Sequence, residues 1–311
     1  MIRSERKYKN RNSERLSGPG GHGRRFVRDT AVSVIAGAAV SLAVLTETAG
    51  AVTLDQVKAR GYITVAIANE IPASYTDSSG EVKGSEAEVV RHVLAQMGIK
   101  SENIQWVVTT FSSLIPGLQA NRFDMTAAGM AIRPERCQKV IYSEPDSTYG
   151  EGLLVVKGNP KNLHSYEDIT KQGSVAVMAG ADQLQMMQAL GIPESKIVTI
   201  ASNADAVSAV ATGRADAYAA AASTAAELAK KSDKVELAEP FKDPVIKGKV
   251  QRSWGGFTFN MESTDLRDKF NEALLKFEKT DEFKKILAEY GSPPEAIAAI
   301  PDKSTKELCS E

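Results

Sequence analysis

The 311-residue chain is poor in the side chains that most often do covalent or metal chemistry: two cysteines, three histidines and two tryptophans, with aromatics at 6%. Two cysteines cannot build a disulfide scaffold. Histidines so few, without Cys, Asp or Glu at ligand spacing, predict no metal site and no cofactor. The Walker A, G-x-S-x-G and H-E-x-x-H patterns are missing, which removes common nucleotide, hydrolase and metalloprotease signatures. His92 shares a helix with a core stripe and His164 sits among Lys, Asn and Ser, so both read as surface groups. A formal net charge of −1 lacks the basic excess of a general nucleic-acid binder. What is present is 42% apolar residues, too many for disorder and enough for one large or two medium domains with cores.

The near-zero charge is an average over two unlike parts. Residues 1–29 carry nine Lys/Arg against three Asp/Glu, which leaves residues 52–311 at −6. After the basic stretch, Thr30 to Leu45 runs sixteen residues without a charge, and Ala49-Gly50-Ala51 follows with small residues at the positions a signal peptidase reads. Basic, apolar and A-x-A regions in that order predict a cleaved secretory signal peptide over 1–51. The alternative is a membrane anchor, for which this Ala/Gly/Ser-rich run is short and weakly apolar. Export without an anchor predicts a soluble protein in the periplasm. Cys137 and Cys309 would then meet an oxidising compartment, where they either pair or remain two free thiols.

Beyond residue 52, strand and helix patterns alternate. Tyr62–Ala68 is a β-branched apolar run, and Glu86–Met97 places Val89, Val90, Val93, Leu94 and Met97 on one helical face before Gly98. Strands are predicted at Ile104–Val108 and Phe123–Ala128, with a helix carrying Leu114, Ile115 and Leu118 between them. The order repeats with strands at Ser174–Met178, Ile197–Ile200 and Asp216–Ala221 and helices at Asp182–Leu190 and Ala204–Thr212. Repeated β-α-β order implies parallel sheets covered by helices. Asn121-Arg122-Phe123-Asp124 is echoed by Gly213-Arg214-Ala215-Asp216, each ending a helix and opening a strand. Two similarly built lobes follow, and the Asp and Arg of each tetrad read as turn groups. Gly255–Phe259 predicts a further strand, with helices at Asp265–Phe277 and Asp281–Tyr290 and a loose tail from Ser292. If Cys309 pairs with Cys137, the chain returns to lobe one. The crossings near Gly152–Lys157 and Gly255–Phe259 would then form a two-stranded hinge beneath a closable cleft. The expected segments are 1–51 as signal peptide, 52–154 as the first part of lobe one, 155–254 as lobe two, and 255–311 as the return to lobe one.

The sharpest local feature is Gly129-Met130-Ala131-Ile132-Arg133-Pro134-Glu135-Arg136-Cys137, just after a strand end. Ligands of open α/β sheets bind there, and backbone N–H groups at Gly129 and Ala131 with the Arg136 guanidinium could grip a carboxylate. The bland alternative is a surface ion pair. Together with Ile115-Pro116-Gly117-Leu118, Tyr142-Ser143-Glu144-Pro145 and Gly213-Arg214-Ala215-Asp216-Ala217, this segment resembles the bacterial extracellular solute-binding proteins of family 3. The resemblance spans nearly all of 52–300. It implies an α/β type II periplasmic-binding fold, two α/β lobes on a two-stranded hinge, a monomer that captures a small solute and passes it to an inner-membrane ABC permease. It also implies that Arg136 clamps the solute's carboxylate.

Two departures narrow the solute. The position where amino-acid receptors of the family place an acid for the α-ammonium is Ala221, and the usual Gly-Thr-Thr of lobe two reads Gly180-Ala181-Asp182. An unpaired ammonium in a closed cleft is costly. A narrower likeness, to ectoine- and hydroxyectoine-binding proteins, rests on Ala66-Ile67-Ala68-Asn69-Glu70, Pro134-Glu135-Arg136-Cys137 and Lys306-Glu307-Leu308-Cys309. It implies a Cys137–Cys309 bridge, Glu70 on the ligand's ring nitrogen and an aromatic cage. Of three cage positions only Phe111 is aromatic; Ala73 and Ala131 fill the others, with Tyr75 or Trp254 as replacement faces. Asp182 reads either as a ligand contact or as a helix N-cap. The leading expectation is a binding protein for a carboxylate-bearing zwitterion such as ectoine. A polar amino acid is the alternative, and a cyclohexadienyl dehydratase-like enzyme working through Glu70 is the remaining class.

Overall fold

The computed structural model describes residues 52–310, so the expected signal peptide at 1–51 lies outside the described residues. Two five-stranded mixed sheets organise the chain. In the first, the order is Ile104–Val108, Ile63–Ile67, Met125–Thr126, Thr258–Phe259, Ile141–Tyr142. In the second, it is Ile197–Ile200, Val175–Met178, Ala217–Ala221, Glu151–Val156, Val235–Leu237. In both, the first three strands are parallel and the fourth runs antiparallel to the third. The expectation of wholly parallel sheets is therefore corrected. The fourth strand of each sheet arrives from the opposite lobe and enters against the parallel set.

Those arrivals define the hinge. Ser147–Tyr149 and Ser253–Gly255 pair antiparallel, Tyr149 opposite Ser253 and Ser147 opposite Gly255. The first crossing thus lies upstream of Gly152–Lys157, because Glu151–Val156 already belongs whole to the second sheet. On the return, Gly255 closes the hinge strand and Thr258–Phe259 joins the first sheet.

The repeated tetrads do the same work in each lobe. Asn121 and Gly213 take left-handed backbone angles, φ 53° and 74°, after their helices. Asp124 then accepts hydrogen bonds from the Thr64 N–H and hydroxyl, both at 2.7 Å. Asp216 accepts the matching pair from Ser174, at 2.7 and 3.0 Å. Each carboxylate pins the start of the lobe's first parallel strand and carries a basic partner, Arg60 for Asp124 and Lys161 for Asp216. These aspartates are structural.

The cores follow the predicted stripes. Val89, Val90, Val93 and Leu94 turn inward on the helix Ser85–Gln96 and meet Phe270, Leu274 and Phe277 of the helix Thr264–Phe277. The C-terminal segment is packed, where a loose tail was expected. Helices Pro294–Ala298 and Thr305–Leu308 fold against lobe one, the second opened by a Ser304/Glu307 capping box. Thr305 N–H donates to Glu144 at 2.8 Å, and Leu308 enters the apolar cluster around Tyr142 and Met130. A Cys137–Cys309 disulfide closes the arrangement across 172 residues of sequence. A loop of that length sets an upper limit of about 5 kcal/mol on the stabilisation in the chain-entropy model. Urea unfolding with and without reductant is expected to show a loss of about 2–5 kcal/mol on reduction. Thiol titration of the unfolded, unreduced protein is expected to find no free thiol, and two reactive thiols would refute the bridge.

Candidate functional site

The lobes meet face to face along one side of the hinge. Met178 and Ala181 of lobe two pack with Phe111 and Leu114 of lobe one, while Ile71 and Tyr75 of lobe one join the cluster around Leu154 and Tyr218 of lobe two. Gly180 turns with φ +83° directly over Ser112, and a Cβ there would stand 3.2 Å from Ser112 Cα. A side chain at Gly180 would crowd this contact and strain the left-handed turn. Closure leaves a cavity of about 420 Å³, whose wall includes Glu70, Ala73, Phe111, Gly129, Ala181, Asp182 and Ala221. The structure thus brings together seven of the ten residues expected to bind ligand.

The other three lie elsewhere. Arg136 is buried behind the wall, its Nη1 donating to the Ala131 carbonyl at 2.9 Å and its Nη2 to the Gly180 carbonyl at 2.8 Å. Its guanidinium also stands 5.7 Å from the Phe111 ring centroid. Arg136 therefore spans the two lobes in this closed form. Ala131 is buried and bridges backbone to Gly255 beside the hinge. Tyr75 packs on lobe two with the Lys231 ammonium 5.5 Å from its ring, outside the cavity wall. Trp254 is turned away as well, donating from Nε1 to the Ala299 carbonyl at 3.1 Å.

Asp182 is the first residue of the helix Asp182–Ala189, whose N-cap is Ala181, so the capping expectation is corrected. Its carboxylate reaches across the cleft instead. Oδ2 accepts from Arg133 Nη2 at 2.9 Å and from Ser253 Oγ at 2.8 Å, linking lobe two to lobe one and to the hinge. Burial by itself raises the Asp182 pKa, but Arg136, Arg133 and these hydrogen bonds outweigh it and hold the group below its ordinary value.

Glu70 is in the opposite situation. No protein donor reaches its carboxylate, and its pKa is pushed up to about 8, first by burial, then by Asp182 and Glu86, with Arg136 pulling the other way. Glu86 stands beside it, almost fully buried, with neither carboxyl oxygen hydrogen-bonded. Burial lifts Glu86 to about 7 although the Ala128 and Gly129 N–H groups oppose the shift. Gly129 holds a left-handed φ of +55°, and a Cβ there would stand 3.4 Å from Glu86 Oε1. Two carboxyl groups in one cavity wall thus form no ion pair among the described residues. Among the described residues, no group of three or more His, Cys, Asp or Glu could hold a metal ion.

Sequence reading missed Glu86, Gln183, Tyr149 and Arg252, which also line the cavity. Glu86 carried a signal: it lies three and four residues before Val89 and Val90, on the helical face that is otherwise apolar. Arg252 and Tyr149 gave none, because each reaches the cavity only through the hinge pairing.

The family pattern of bacterial extracellular solute-binding proteins, family 3, matches residues 63–293. The chain belongs to that family, and its fold is the type II periplasmic-binding fold. It is 75% identical over 286 residues to a probable amino-acid ABC transporter periplasmic-binding protein of Sinorhizobium fredii, covering 92% of this chain and 95% of that protein. The solved structure of EhuB in complex with hydroxyectoine superimposes with a TM-score of 0.74 at 28% identity, covering 82% of this chain and 97% of that one. An ancestral amino-acid-binding protein, AncCDT-1, described as a precursor of cyclohexadienyl dehydratase, gives a TM-score of 0.66 at 30% identity, covering 77% and 99%.

The raised pKa of Glu70 makes closure pH-dependent. In the closed cleft the group is pushed up to about 8, and an opening that returned it to water would let it fall back towards the ordinary 4.5. The closed form is therefore favoured in full below the open-state value and loses that advantage as pH rises through about 8. Distances between spin labels placed one on each lobe are expected to lengthen in the ligand-free protein from pH 5 to pH 8.5. Glu70→Gln should flatten that response. An unchanged distance distribution in the wild type would refute the coupling.

Proposed function

We propose that this protein is the periplasmic receptor of an ABC importer for an amino-acid-derived zwitterion. Arg136 takes the solute's carboxylate and Glu70 takes its cationic group. The observation that carries the reading is Glu70, a half-buried carboxyl with no hydrogen-bond donor among the described residues, on the cavity wall and under the field of Arg136. Such a group is costly while empty and favourable once a cation enters. Arg136 has planar, fixed donors beyond the two already given to backbone carbonyls, which suits a carboxylate. The Phe111 ring supplies one face for a delocalised cation.

Within that class the relatives point to two kinds of solute. The Sinorhizobium fredii relative supports an amino acid, and the EhuB neighbour supports a cyclic amidinium carboxylate such as ectoine or hydroxyectoine. Ala73 and Ala131 leave the site short of two cage rings, while Glu86 adds a second carboxyl that a compact ring does not need. Those features favour an amino acid with a polar or cationic side chain. Capture closes the lobes, and the closed face docks on the permease, with no covalent step.

Titration calorimetry with amino acids, betaines, ectoine and hydroxyectoine is expected to find a solute bound near micromolar, about −8 kcal/mol. Arg136→Ala should weaken that solute about 100-fold, or ~2.7 kcal/mol, with its unfolding transition still cooperative; retained micromolar affinity would refute the clamp. Incubation with prephenate or arogenate should leave both unchanged. Turnover of either would replace the receptor reading with a dehydratase in which Glu70 moves the proton.

A further inference from the structure

The cavity carries in its wall a cation that the carboxylate clamp does not use. Its wall includes, besides Glu70 and Phe111, the hinge residues Thr148–Gly150, Arg252, and Gly291, Pro293 and Ala296 of the C-terminal segment. Its volume of about 420 Å³ falls in the range of about 300–1,000 Å³ that holds drug-sized ligands, more room than a free amino acid fills. Small residues, Ala220 to Ala222, Ala226 and Gly291, also line the cavity and take up little of its space.

Arg252 is the cation there. It is half-buried in the cavity wall, next to the hinge strand Ser253–Gly255, and makes no ion pair among the described residues. Its one side-chain hydrogen bond is a long one, Nη1 to Thr148 Oγ1 at 3.3 Å. Arg133, by contrast, is neutralised by Asp182, and Arg136 is spent on two carbonyls and the clamp. The same wall carries Ala222, Ser223 and Thr224, the first turn of the helix Ala222–Lys230, which has no side-chain cap. Its N-terminal dipole adds to the positive character of that wall. No acidic side chain of the cavity wall is contributed by Ala220–Thr224.

With Arg133 and Asp182 cancelling each other, the wall presents Glu70 and Glu86 towards cations and Arg252 towards an anion, in addition to Arg136 behind it. We infer that Arg252 is a specificity residue for a second carboxylate, and that the solute is an amino-acid-derived zwitterion with an extra carboxylate-bearing arm reaching it. This rests on the zwitterion reading above and goes beyond it by naming the arm and its receptor. A guanidinium free of protein carboxylates, in a partly dehydrated wall, gains most from a forked contact with an incoming carboxylate.

The test uses matched pairs that differ by one such arm: lysine against Nε-carboxymethyl-lysine, and glutamine against γ-glutamylglycine. Calorimetry on the mature protein is expected to give at least tenfold tighter binding for the armed member of a pair. Arg252→Gln and Arg252→Ala, each verified by a cooperative unfolding transition, should erase that preference by weakening the armed member at least tenfold more than the unarmed one. Two variants guard against a folding defect in one. Equal affinities within both pairs, or an equal loss for armed and unarmed solutes in the variants, would overturn the role of Arg252 and leave the zwitterion reading standing. Binding of neither pair, together with silence across the wider panel of zwitterions, would overturn that reading and this inference together.

Discussion

Closing two lobes over a small solute forces charge out of water, and the structure is arranged around that cost. The Arg133–Asp182 pair is the only described ion pair that joins one lobe to the other. A lone carboxylate at the start of the helix Asp182–Ala189 would be expensive once covered. With Arg133 and the Ser253 hydroxyl in place it stays ionised, held below its ordinary pKa. Because Ser253 belongs to the hinge, the pair fixes the closed angle as well as the contact. The apolar patches around Met178 and Ile71 then contribute area without having to set direction. Gly180 and Ser112 come close enough that a Cβ would crowd the contact, and the left-handed φ of Gly180 favours glycine there as well.

Much of this was legible in the sequence. Strand runs and helical stripes, each set by burial against one sheet, located the elements of both lobes. The echo of Asn121–Asp124 in Gly213–Asp216 revealed the duplication, because each lobe needs an acid to hold its first parallel strand. The motif around Arg136 and the loop at Glu70 led to the cavity. What stayed hidden depended on contacts between distant residues. The hinge strands are three residues each, too short to show a period, and their pairing spans 253 with 149. The antiparallel fourth strand of each sheet comes from the other lobe, so no local β-α-β pattern announces it. The packed tail could not be read either, since Thr305–Leu308 is held by Glu144, by an apolar cluster and by the bridge to Cys137. Asp182 was ambiguous for the same reason: its partner Arg133 is 49 residues away, and nothing local separates a cap from a cross-cleft contact.

Glu70 and Glu86 set the terms on which the cleft closes. A receptor that shut readily when empty would present its closed face to a permease with nothing to deliver. Two carboxyls without an ion-pair partner among the described residues work against that, since ionised they oppose closure and protonated they must first take up protons. A solute with a cationic group removes the penalty, and only a solute that does so has the differential affinity needed to shift the equilibrium. Arg136 contributes to both sides of that balance. In the closed form its Nη2 bonds the Gly180 carbonyl of lobe two, which favours closure, while its charge lowers the pKa of Glu70. Selectivity in such a site follows from charge that is left unpaired in the protein. On the function proposed above, the groups that oppose closure are the same groups that would recognise the solute.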